Sequence, residues 1–219
     1  MSELGWDWSV LDGALPNLMQ GLLVAVQATA LGALISIGLG FLFAIIRMSE
    51  IPILSPIVVF LVNFLRGTPF LIQLYFVFYV LPKYGISVGL LATGILALGI
   101  SMSGYMSEVF RASIENIPNA QWEACLTLGL PLTNVWFSVI IPQALRTAIP
   151  MMGSYILLMF KETAILSTIG LAELLSRGME IGFTSFRFIE PLTIVGVIYL
   201  TISLAAARGL RILETRLQL

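Results

Sequence analysis

Between Asp12 and Arg47 the chain carries no Lys, Arg, Asp or Glu. A run that long without a charge is the mark of a bilayer, where about 20 apolar residues in a helix cross the hydrocarbon. The rest of the chain removes the soluble alternative. Of its 219 residues 58% are hydrophobic and only 11% are charged, against roughly 25% charged in a soluble domain. The apolar runs are long and do not alternate, which selects helices over a barrel. The expected fold is an all-α membrane protein with five transmembrane helices, near 18–46, 54–80, 88–110, 147–170 and 190–208. One transmembrane domain over 1–219 is expected, with a long loop at 111–146 and no internal repeat.

The same composition excludes several functions. A net charge of −1 gives no basic excess for nucleic acid. With no histidine, the usual general base and the commonest metal ligand are missing, and no His/Cys/carboxylate cluster suggests a metal. Cys125 is the only cysteine, so no disulfide forms within the chain. The stretch "MSELGWDWSVLDG" is acidic and lacks Lys and Arg, so it is not read as a cleavable signal peptide. The basic residues set the orientation. With the C-terminus in the cytoplasm, the inner segments hold Arg47, Arg111, Arg146, Arg208, Arg211 and Arg216. The outer segments hold Lys83, Arg177 and Arg187, and the acidic N-terminus lies outside.

The segment "NAQWEACLTLGLPLTNVWFSVIIP", Asn119 to Pro142, is too polar to span and too apolar for a plain linker. Pro118 disfavours helix at Ile117, and Asn119 is an expected N-cap. A short helix follows, with Ala120, Ala124 and Leu128 on one stripe and Glu123 and Thr127 on the next. Gly129 suits the left-handed position that ends a helix, and Pro131 stops its continuation. A second helical piece then leads into Pro142 and the fourth span. The pattern describes a helix-turn-helix on the cytoplasmic face, either an interfacial linker or a docking knob.

A charge at the centre of a span costs about 2.5–3.5 kcal/mol on insertion scales, so it needs a partner or a water-filled path. Arg66, Lys161 and Glu162 are such charges. Asn63, Arg66 and Gln73 fall within about 80° at ~100° per residue, and Gly67 and Pro69 interrupt the helix beside them. Interrupted helices of this kind line solute sites in transporters. The other reading of Arg66 is a salt bridge to a neighbouring helix. Ser101 shares a face with Ser107, Glu108 and Arg111, and the last two are spaced to pair. Ser154 aligns with Lys161, and Tyr155 with Glu162. The run "QLYFVFY" reads as packing and lipid-facing surface.

A phosphate-cradling loop ends in Gly-Lys. The two lysines, Lys83 and Lys161, follow Pro82 and Phe160, so any ATP-driven role needs a separate ATPase subunit. Pairing of Ser154 or Ser167 with Lys161 leaves an intramembrane Ser/Lys hydrolase as an alternative, and a non-catalytic scaffold as another.

The 119–142 segment resembles the EAA loop of ABC-importer permeases. Glu123, Ala124 and Cys125 stand for the Glu-Ala-Ala triplet, Gly129 follows six residues after the Glu, and Ile141-Pro142 closes the loop. Cys125 departs from the pattern as a small residue at a small site. "LRGTPFLIQLYFVFY" and "KETAILSTIGLAEL" are similar to the polar-amino-acid subfamily, which imports histidine, glutamine, arginine and opines. The resemblance implies a non-enzymatic type I importer permease of the bacterial cytoplasmic membrane. It implies a second permease subunit, identical or homologous, two ATPase subunits that bind the ATP, and an extracytoplasmic solute-binding protein. It implies that Glu123, Ala124, Cys125, Gly129 and Pro142 form a coupling helix seated on the ATPase. The solute would be a polar amino acid or related zwitterion, with ectoine-type compatible solutes as runner-up. Asn63, Arg66, Gln73, Ser101, Ser154, Lys161 and Glu162 are the candidate pathway residues.

Overall fold

The computed structural model describes residues 5–217. Among them every regular element is helical. The charge-free stretch forms α1, Leu15–Met48. After a turn at 49–53 come α2, Leu54–Gly67, and α3, Phe70–Tyr75, which continues as a π-turn and a 3-10 turn to Tyr84. Then follow α4, Leu90–Glu115, and the short α5, Asn119–Thr127. α6, Leu132–Asn134, runs through a π-segment, Val135–Ile140, into α7, Ile141–Glu162. A 3-10 stretch, Thr163–Ile169, leads to α8, Leu174–Ser185, and α9, Ile189–Leu217. Four helical stretches are long and apolar enough to cross a membrane, and the bent 54–84 pair makes a fifth if it is one span.

α1 and α4 pack along their length, because small residues let the backbones approach. A Cβ on Gly40 would lie 2.4 Å from the Cβ of Met106 and 2.9 Å from the amide of Ser107. A core of Ala28, Ala33, Ala97, Leu98, Met102 and Met159 joins α1, α4 and α7. At the other end Leu18, Leu174 and Val195 join α1, α8 and α9. A 3-10 turn at Trp8–Leu11 is tied to the start of α9: the Asp7 amide donates to Glu190 Oε1 at 3.2 Å, and Arg187 donates to the Gly5 carbonyl.

Several expectations need correction. The interruption expected at Gly67 and Pro69 is a sharp bend in the 54–80 span. α2 and the 70–84 helix meet at 110°, since Pro69 has no amide to continue the helix and Thr68 is extended. Asn63, Arg66 and Gln73 therefore do not share one helical face. Asn119 is the first helical residue, with Pro118 ahead of it and no side-chain cap. Pro142 sits in the first turn of α7, directly after the π-segment, where a proline's missing amide costs least. The helix that holds the third expected span runs on to Glu115, and the one that holds the last to Leu217. The 171–189 segment, which holds the outer charges Arg177 and Arg187, contains α8.

Candidate functional site

Two regions hold the candidate residues. The first is the knob made by α5 and the turn after it. Its end is fixed by three backbone hydrogen bonds: Leu128 N–H to the Ala124 carbonyl at 3.0 Å, Gly129 N–H to Leu126 at 3.0 Å, and Leu130 N–H to Cys125 at 3.1 Å. The last two are the bond pair of a Schellman turn, which places one residue in the left-handed region. That residue is Gly129, at φ +62°, and a Cβ there would meet nothing within 4 Å. The demand for glycine is therefore conformational and not one of space.

The knob has an inner and an outer side. Cys125 faces inward, 4% exposed, among Ile114, Ile117, Val135, Ile140 and Ala144. Trp122 packs edge-on to Trp136 at 5.4 Å. Gln143 Nε2 donates to the Val139 carbonyl at 2.9 Å and to Gln121 Oε1 at 3.4 Å, which joins α5 to α7. Ala120, Glu123, Ala124, Thr127 and Leu128 are exposed. Leu126, Leu128, Leu132 and Phe137 are each more than 70% exposed. Of the five residues assigned to coupling, Glu123, Ala124, Gly129 and Pro142 reach the surface and Cys125 anchors the knob from inside.

The second region is the set of charges within the spans. Arg66 stands beside the break. Its Nη1 lies 3.5 Å from Glu108 Oε2 on α4, and its guanidinium carbon lies 5.8 Å from the Tyr105 ring centroid. Glu108 also receives Arg47 Nη1 at 3.1 Å and Arg111, which in turn pairs with Glu115. Arg47 also donates to Ser107 Oγ at 3.1 Å. The two readings of Arg66 thus meet in one place: it has a salt-bridge partner, but one that two other arginines already share. Tyr105 stacks tilted on Tyr155 of α7 at 5.2 Å.

Gln73 acts as a staple across the break. Its Nε2 lies within hydrogen-bond distance of the Leu65 carbonyl at 2.8 Å, the Thr68 carbonyl at 3.1 Å and Thr68 Oγ1 at 2.8 Å. Its Oε1 is buried without a partner among the described residues. Asn63 is exposed on α2, and Ser101 is buried on α4. At the end of α7, Lys161 is exposed and makes no ion pair or hydrogen bond among the described residues. Glu162 is half-buried, and its Oε2 is buried without a partner among the described residues. The hydroxyl of Ser154 donates to the Pro150 carbonyl at 3.3 Å, and that of Ser167 to Ala164 at 2.7 Å. Neither serine is hydrogen-bonded to Lys161, which leaves the Ser/Lys hydrolase without its nucleophile–base pair.

Two features escaped the sequence reading. Arg47 was counted only as an inner charge, whereas its contact with Glu108 ties α1 to α4. Glu173, wholly buried, caps α8 by accepting from the amides of Leu175 and Ser176. An acidic residue just after the glycine that ends the fourth span was the available signal for a helix start.

Residues 36–219 match the family described as the inner membrane component of binding-protein-dependent transport systems. The chain is 36% identical to a probable amino-acid ABC transporter permease of Sinorhizobium fredii, over 97% of this chain and 95% of that one. It is 30% identical to the glutamine transport system permease of Escherichia coli, over 98% and 99% of the two chains. A solved amino acid ABC transporter with histidines superimposes with a TM-score of 0.91 at 30% identity, over 97% of this chain and 100% of that one. The methionine transporter MetNI in an inward-facing form, at 19% identity, shares the fold with a TM-score of 0.72 over 90% and 96%.

Proposed function

Because the chain belongs to the family of inner membrane components of binding-protein-dependent transport systems, and is thus the transmembrane subunit of an ABC importer, we propose how its residues divide the work. The knob at Asn119–Gly129 couples the spans to the ATPase. The carrying observation is the division of the knob into a buried anchor, Cys125, and an outward face of Ala124, Glu123 and Leu128 ahead of a rigid Gly129 turn. Small residues on that face allow close backbone approach, and the exposed Leu126, Leu128, Leu132 and Phe137 supply apolar area that a partner would cover. ATP binds to the ATPase subunits, in keeping with the missing phosphate loop here. Two permease subunits, two ATPase subunits and an outer solute-binding protein form the working assembly.

The solute is a polar amino acid or a related zwitterion. Its amine is met by Glu162, whose buried oxygen has no partner among the described residues, and its carboxylate by Lys161 or Arg66. Unpaired charges within a span are costly unless a ligand or water completes them. The N-terminus lies outside and the C-terminus in the cytoplasm, as the basic residues direct. Alternating access then follows from closure of the ATPases: the knobs move with them, and the spans they cap move in turn. Co-purification of the ATPase with the wild-type chain, and its loss with Glu123→Arg at equal membrane abundance, tests the coupling role. Undiminished co-purification with undiminished ATP-driven uptake in that variant would overturn it.

A further inference from the structure

Just past Lys161 and Glu162 the chain enters a hydrogen-bonded line that none of these roles uses. Thr163 is wholly buried, and its Oγ1 lies 2.6 Å from the Phe160 carbonyl. The same oxygen lies 3.2 Å from the hydroxyl of Tyr199 on α9. That hydroxyl lies 2.9 Å from Glu173 Oε2. Glu173 Oε2 accepts from the Leu175 amide at 2.9 Å, and Oε1 from the Ser176 amide at 2.8 Å. The line thus joins the end of α7, the start of α8 and the middle of α9.

Its protons can be counted. Each hydroxyl carries one, and a carbonyl none. With Glu173 ionised, Tyr199 donates to Glu173 and Thr163 donates to Phe160. The 3.2 Å contact between the two hydroxyls then holds no proton, and two oxygens face each other through lone pairs. With Glu173 protonated, the carboxyl donates to Tyr199, Tyr199 to Thr163, and Thr163 to the Phe160 carbonyl. Every contact in the line is then filled. The surroundings agree. Burial pushes the Glu173 carboxyl above its ordinary value, opposed by the two amides and the Tyr199 hydroxyl. The backbone of Glu173 abuts Gly21, on a stretch of α1 that carries no charge. The 163–169 stretch carries none either. On α8, Arg177 pairs with Glu180 at 2.8 Å; on α9, Glu190 is held by Arg187. Lys161 and Glu162 stand just ahead of the line, on α7.

We propose that Glu173 is a positioning residue, held neutral, whose hydrogen-bonded line through Tyr199 and Thr163 fixes the carboxyl end of α7 and so aims Lys161 and Glu162. The aim matters on the reading that those two charges meet the solute. Glutamine at 173 can donate to Tyr199 as the protonated acid does, although the Leu175 amide loses its acceptor. Phenylalanine at 199 removes the link from Glu173 to Thr163 while keeping the ring against Phe160.

The test uses the full assembly with its ATPase in proteoliposomes, together with infrared difference spectra of wild type against Glu173→Gln at neutral pH. The spectra should show a protonated-carboxyl C=O band that vanishes in the variant; a carboxylate band in its place would overturn the neutral form. Glu173→Gln should keep uptake near the wild-type level. Tyr199→Phe should raise the solute concentration for half-maximal uptake about five- to tenfold at equal abundance, well within what misplacing a site group can cost. Unchanged solute dependence in Tyr199→Phe would overturn the positioning role, provided Glu162→Gln, measured beside it, does change. If Glu162→Gln is also silent, the solute-site reading fails, and the aiming role fails with it, while the infrared result still decides the state of Glu173.

Discussion

Arg66 and Glu108 are ion-paired at 3.5 Å, from the broken second span to the third. It is the longest of three arginine contacts on that carboxylate, and Arg66 is the most exposed of the three arginines. Glu108 holds α1, α2 and α4 together, and taking it away would leave Arg47 and Arg111 crowded without their shared anion. We predict that Glu108→Gln lowers stability by about 1–3 kcal/mol or more, the cost of orphaned buried polar groups. Arg66→Met should cost less, since two arginines still satisfy Glu108. Thermal unfolding of the purified variants in detergent gives the order, and a larger loss in Arg66→Met would contradict it.

Among the described residues Lys161 and Glu162 have no such partner for their charges, so their replacement should touch function before folding. Lys161→Met and Glu162→Gln are expected to reduce uptake about tenfold, the factor that ~1.4 kcal/mol of lost contact brings. Membrane abundance and assembly with the ATPase should stay at wild-type levels. Lys83→Met, on the exposed 81–84 turn, serves as the control. Wild-type uptake kinetics in both assembled variants would remove these residues from the solute path.

One side chain staples the α2–α3 break that Thr68 and Pro69 make. Gln73→Leu keeps the volume but strips the donor from the Leu65 and Thr68 carbonyls. A loss of about 1–3 kcal/mol is expected for the unsatisfied acceptors. Because the break lies next to Arg66, uptake should fall as well. Unfolding and uptake both at wild-type values would show that the bend holds itself.

Much of this was legible in the sequence, and the reasons differ by element. The spans at α1, α4 and α9 follow from hydrophobic length alone, which depends on no neighbour. The knob was legible because Glu123, Gly129 and Pro142 have local jobs at fixed spacing. The interruption of the second span was legible in Gly67 and Pro69, but they say that a helix breaks and not by how much; the 110° bend, which puts Asn63, Arg66 and Gln73 on different faces, is seen only in the fold. α8 was missed because it is short and its cap is a glutamate, whose value appears only when Tyr199 and two amides converge on it. Cys125 shares the coupling assignment through its place in the triplet, which does not say which side faces the core; the contacts with Ile114 and Ile140 decide that.

Orientation can be read by labelling. Because Cys125 sits among aliphatic side chains, Cys125→Ala is the gentler background than a hydroxyl-bearing replacement. In it, Tyr84→Cys, 78% exposed before α4, should react with an impermeant maleimide in intact cells. Thr127→Cys on the knob should react only after the membrane is opened. The reverse pattern would invert the topology.

The coupling role of the knob is tested most directly by ATP-driven solute uptake in proteoliposomes holding Gly129→Val, normalised to the ATPase bound. Valine resists φ +62° and has no clash to relieve, so the substitution disturbs the turn and little else. Uptake should fall about tenfold or more, as for a loss of ~1.4 kcal/mol or greater in productive docking, with the spans still inserted. Uptake per bound ATPase equal to wild type would contradict the assignment of Asn119–Gly129 as the link between ATP and the membrane path.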